Sequence, residues 1–148
     1  MDDQQLQNLK RRWEKLTVEL EKKFGDKPDL QIILFLIGVQ ETGKGYAKYS
    51  KDEKQNLMHV ATCKLLSRYG YYELEKIDED GWPHYKTVKQ LPPMSLGDQD
   101  ILLKQAALSY FGVEEWELKA NLKLHSLFHR FMCLKANKTS GGIAIFYR

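Results

Sequence analysis

The run Ile32 to Gly45, IILFLIGVQETGKG, constrains this chain more than any other stretch. Its first eight residues, Ile32 to Val39, are apolar or Gly with no polar alternation, so they are expected to be buried on nearly every side. A glycine-flanked lysine follows at once. As a strand leading into a loop, Gly38-Val-Gln-Glu-Thr-Gly43-Lys44 would have the G-x-x-x-x-G-K spacing of a phosphate cradle. As a helix ended by glycine, the same run would be the centre of a helical core. The second reading is preferred. Gly45 stands where a magnesium-binding Ser or Thr belongs, and GYAKYS reads as more loop instead of the helix a phosphate loop opens into. No strand–helix alternation supports a parallel sheet. The expectation is that Leu34 to Gln40 is helical and that every other helix packs near this run.

The rest of the chain is consistent with a mainly α protein, a compact bundle of about five helices with a small inserted β-hairpin (about 71–88). Its 148 residues suit a single domain, 1–148, able to bury a core without disulfide or metal staples. Residues 3–24 form the first helix, with Leu6, Leu9, Trp13, Leu16 and Leu20 spaced 3,4,3,4. That stripe serves a bundle core or, as a short heptad seam, a homodimer. A third helix from about 52 to 69 has Ser50 or Asp52 as its cap. Between Tyr71 and Val88, Asp80-Gly81 separates two runs rich in aromatic and β-branched residues, which is a hairpin signal. Pro83 confines the second run to an edge strand or breaks its start. Ser95 and Asp98 open a fourth helix that runs to about Phe111 and buries Ile101, Leu102, Ala106 and Tyr110. A fifth is expected over 113–136. The tail 137–148 holds NKTSGG and the apolar run IAIFY, a strand beside the hairpin or a flexible end.

Charge excludes some partners. The formal net charge is +3, and residues 1–75 carry 13 basic and 12 acidic side chains, so no basic stripe points to nucleic acid. No run approaches the roughly 20 apolar residues of a membrane helix. The polar start, MDDQQLQNLKRRW, lacks the apolar centre of a signal peptide, and two cysteines suit a reducing compartment, so a cytoplasmic location is expected.

Chemistry-bearing residues are sparse. His59 and Cys63 are i,i+4 on one helix, as are His125 and His129 on another with Cys133 beyond them. Together His59, Cys63, His125 and His129 could surround a tetrahedral metal, with His84 and Glu41 as further ligands. There is no CxxC or HExxH, and an apolar stripe beside the second pair leaves flanking histidines as the plainer reading. A Cys63/His59 pair could act in nucleophilic catalysis only if the thiol were exposed and in an electropositive setting, whereas its sequence neighbours are Val60, Ala61 and Leu66. Asp78-Glu-Asp80-Gly81 fits a hairpin tip better than a calcium loop, because that register puts Lys76 and Thr87 at the ligand ends. No catalytic residue and no cofactor is assigned. The aromatic residues Tyr46, Tyr49, Tyr72, Trp82 and Tyr85, interleaved with Lys44, Lys48, Lys51 and Lys86, form an interaction surface or cover the core beneath the hairpin.

In the blocks FLIGVQE (35–41), DEKQNLMH (52–59), YGYYE (69–73) and DGWPHY (80–85), the chain resembles a small family of uncharacterised bacterial proteins. The resemblance covers roughly residues 28–111. It implies a compact, mostly helical cytosolic protein and supplies no catalytic residue, cofactor or substrate. The leading expectation is a non-enzymatic protein-interaction module, homodimeric if the heptad seam is free. A metal-binding protein is the alternative, and a degenerate phosphate loop at 38–45 comes third.

Overall fold

The computed structural model of the chain describes residues 1–44 and 47–112. Four α-helices and one hairpin follow in the order α1 (Asp3–Phe24), α2 (Leu30–Thr42), α3 (Lys51–Ser67), β1 (Tyr72–Ile77), β2 (Pro83–Thr87) and α4 (Leu96–Phe111). The chain is mainly helical with a small antiparallel hairpin, as expected. The described residues carry four helices and not five, because the expected fifth, 113–136, lies outside them, as does the tail 137–148.

Local chemistry sets the helix ends. The Asp2 carboxylate accepts from the Gln5 amide at 2.8 Å and the Gln5 side chain accepts from the Asp2 amide at 3.1 Å, a reciprocal box that satisfies two amides at the N-terminus. Ser50 and Glu53 do the same for α3 at 3.2 and 3.3 Å, so Ser50 and not Asp52 is the cap. Asp29 accepts from the Ile32 amide, and Ser95 from the Asp98 amide. Gly43 closes α2 at φ +67°, a left-handed conformation that costs little without a Cβ.

α2 is helical throughout Leu34 to Gln40, and every residue from Ile33 to Val39 is buried. That explains the missing polar alternation: the helix has no wet face in its middle. α3 packs closely along α2, and α4 packs on both α2 and α3. The expectation that every helix lies near α2 is corrected in one respect. The backbone of α1 approaches α4 most closely and joins the core through Leu9, Leu16 and Leu20. On α4 the buried side is Ala106, Ala107, Leu108, Tyr110 and Phe111, while Ile101 and Leu102 are only half-buried.

In the hairpin, Tyr72 pairs with Thr87, Leu74 with Tyr85, Lys76 with His84 and Ile77 with Pro83. The register slips between Leu74 and Lys76, leaving Glu75 as an extra residue. Without that bulge, period-two alternation would put Ile77 on the face opposite Leu74. With it, Tyr72, Leu74, Ile77, Pro83 and Tyr85 share one face. β2 starts at Pro83, where a missing N–H is tolerated. The hairpin lies against α3.

Candidate functional site

The hairpin and the helix ends beneath it gather most of the residues singled out in the sequence. Tyr72, Trp82 and Tyr85 are half-buried there. The Lys44 ammonium sits 5.1 Å from the centre of the Trp82 ring, and the Lys89 ammonium 5.1 Å from that of Tyr71. Both are cation–π distances. Tyr49 does not belong to this surface. It is 5% exposed, meets Phe35 edge-on with centroids 5.6 Å apart, and donates its hydroxyl to the Lys44 carbonyl at 3.3 Å. Its spacing from Phe35 across a loop put an aromatic ring into the core, which sequence neighbours such as Lys48 and Lys51 disguised. Tyr46 lies outside the described residues.

Beneath the hairpin is a polar cluster that the sequence did not reveal. The Tyr110 hydroxyl of α4 donates to Glu41 Oε1 of α2 at 2.6 Å, and the Lys64 ammonium of α3 stands 3.9 Å from Glu41 Oε2. Three helices therefore meet at one carboxylate. Glu41 lies in the last turn of α2, where the helix dipole disfavours an anion, so these two partners offset an unfavourable position. Tyr85 reaches toward the same place from β2. Burial first, then the charges of Glu41 and Cys63, push its hydroxyl up to about 12. The Cys63 thiol is 2% exposed and raised by burial, with Sγ 3.6 Å from His59 Nε2. Neither group is an ionised nucleophile or base near neutral pH, which removes the setting that cysteine catalysis needs.

The metal arrangement is met only in part. His59 and Cys63 touch, but His59 is exposed and Cys63 is buried. His125 and His129 lie outside the described residues, among which no group of three or more His, Cys, Asp or Glu side chains could hold a metal ion. His84 instead sits on the hairpin tip, 2.8 Å from Asp78 Oδ2. The other oxygen of Asp78 accepts from the Asp80 and Trp82 amides at 3.0 and 2.9 Å. The acidic tip is thus a self-capped turn.

The geometry corrects the phosphate-loop reading of residues 38–45. Gly38 to Thr42 are helical, and Lys44 follows the C-terminal end of α2, whose partial negative charge repels phosphate. Gly38 has a packing role: its Cα faces the Leu57 carbonyl of α3 with no room for a side chain.

The heptad stripe of α1 is largely used within the chain. Leu9, Leu16 and Leu20 are buried, while Leu6 and Trp13 are half-buried, and the Lys104 ammonium of α4 lies 5.4 Å from the Trp13 ring centre. Pairing two copies through all five residues would require opening the core. Among the described residues, no helix is long and apolar enough to cross a membrane. No protein-family model, curated protein or solved structure matches this chain, so every assignment of a site residue rests on its own geometry.

Proposed function

We propose that this chain is a cytosolic, non-enzymatic protein-interaction module whose contact surface is the hairpin and its root. One observation carries the reading. Of the six large apolar residues exposed among the described residues, four fall between 69 and 88: Tyr69, Leu74, Ile77 and Val88. Leu74 is 47% and Ile77 63% exposed on a hairpin that otherwise alternates with Glu and Lys. Single exposed apolar residues are ordinary, but their concentration on one small element marks a contact surface. Half-buried Tyr72, Trp82 and Tyr85 add aromatic area beside it. The free buried thiol of Cys63 suits a reducing compartment.

The test compares wild type with Leu74→Lys/Ile77→Lys and with a control, Lys54→Glu/Gln55→Lys, on the exposed side of α3. Quantitative affinity capture should show at least one protein retained by wild type and control and lost with the hairpin variant. Light scattering on the same samples distinguishes a second copy of the chain from a different protein. Identical captured sets and identical masses for all three would overturn the proposal.

A further inference from the structure

The hairpin is fastened to the helices along one side and is otherwise open. Five of six residues in β1 and three of five in β2 are exposed. The chain enters it through Gly70, at φ +82°, and leaves through Leu91-Pro92-Pro93, so both ends have backbone suited to a hinge. Its own turn is complete without the helices. The Asp78 amide donates to the Trp82 carbonyl, the Asp78 carboxylate holds two amides and His84, and Val88 returns to the Tyr71 carbonyl at the root.

The helical side is also complete without the hairpin. Glu41 is held by Tyr110 and Lys64, both helical, and Cys63 meets His59 of its own helix. What joins the two parts is limited: the half-buried rings of Tyr72, Trp82 and Tyr85, the Lys44–Trp82 contact, and the close approach of Gly81 to the Thr42 carbonyl. Segments with little buried apolar contact open at lower free energy than the whole fold.

We propose that the hairpin is a hinged flap: β1 and β2 lift together from α3 about Gly70 and Pro92-Pro93 while the helices stay folded, and this motion uncovers Cys63. Tyr85 is the ring that closes over this region, since it lies within the electrostatic reach of both Cys63 and Glu41. Lys44 on Trp82 is the clasp at the tip. The motion stands on the packing of the hairpin and holds whether or not the hairpin binds a partner.

Maleimide labelling of the full chain at neutral pH tests this, with Cys63 modification read by peptide mass and amide hydrogen exchange followed in parallel over low urea concentrations. The expected result is that Cys63 labels through an opening with a shallow urea dependence, shared by the amides of residues 72–87. The amides of Ile33–Val39 and of α3 around Ala61 should stay protected and show the steep dependence of global unfolding. Lys44→Ala should speed labelling about two- to fivefold by removing one cation–π contact. Trp82→Ala should do so by more. The flap is overturned if Cys63 labels only with the steep urea dependence of the α2 amides, if the α3 amides open together with it, or if neither variant changes the labelling rate.

Discussion

Gly38 of α2 and Leu57 of α3 set the distance between the two central helices. A Cβ at Gly38 would stand 2.6 Å from the Leu57 carbonyl carbon and closer still to its oxygen. The obstacle is backbone, which cannot swing aside as a side-chain tip can. Alanine favours a helix interior over glycine by about 1 kcal/mol, but forced overpacking costs about 1–3 kcal/mol, and here α3 itself must move. Gly38→Ala is therefore expected to lower stability by about 1–3 kcal/mol in urea unfolding. A variant as stable as wild type would mean that the helices separate freely.

Tyr110 and Glu41 make the longest-range side-chain hydrogen bond in the polar cluster. Removing the donor leaves a partly buried carboxylate with only a distant lysine. Tyr110→Phe should cost about 1–2 kcal/mol, since hydrogen bonds to charged groups contribute more than neutral ones. In the Glu41→Gln background the same change should cost measurably less. Equal costs in the two backgrounds would show that the pair is uncoupled.

Leu9 is 3% exposed within a single chain. Leu9→Lys should therefore destabilise the folded protein by about 2–4 kcal/mol, through lost apolar burial and the cost of a charge whose stem must reach for water. The exposed Leu74→Lys should stay within about 0.5 kcal/mol of wild type. Thermal and urea unfolding of both variants checks the contrast. A fully stable Leu9→Lys whose only effect was a halved mass in light scattering would return the stripe to a dimer seam.

Asp78 has its carboxyl lowered below the usual range, first by the hydrogen bond from His84, then by the Trp82 amide. A depressed folded value means that the contribution is present above the unfolded value, near 3.9, and is lost as pH falls through the lower folded value. The hairpin tip should hold down to about pH 4 and loosen below it. The Asp80 and Trp82 amide resonances should titrate together in that acid range and not between pH 5 and 8. Asp78→Asn should remove the titration. A midpoint at or above the ordinary carboxylate value would contradict the geometry.

The helices and the hairpin were legible because their signals are local. Asp2, Ser50 and Ser95 sit where N-caps belong, Gly25, Gly43 and Gly112 where helices stop, and Asp80-Gly81 where the chain turns. The surface was legible in part. Tyr72, Trp82 and Tyr85 come together as expected, whereas Tyr49 turns inward onto Phe35. The cluster of Glu41, Lys64 and Tyr110 had no signal, because its members are 23 to 69 residues apart and each alone is an ordinary helical residue.

The sequence alone determined that Ile32 to Val39 must be buried and that Gly43 must end the element, since apolar periodicity and backbone freedom are properties of neighbouring residues. Only the tertiary structure decided what Gly38 and Lys44 are for. Gly38 lets α3 approach, and Lys44 covers Trp82. The G-x-x-x-x-G-K spacing was real, but its meaning depended on what packs against it, and that is decided by residues distant in the chain.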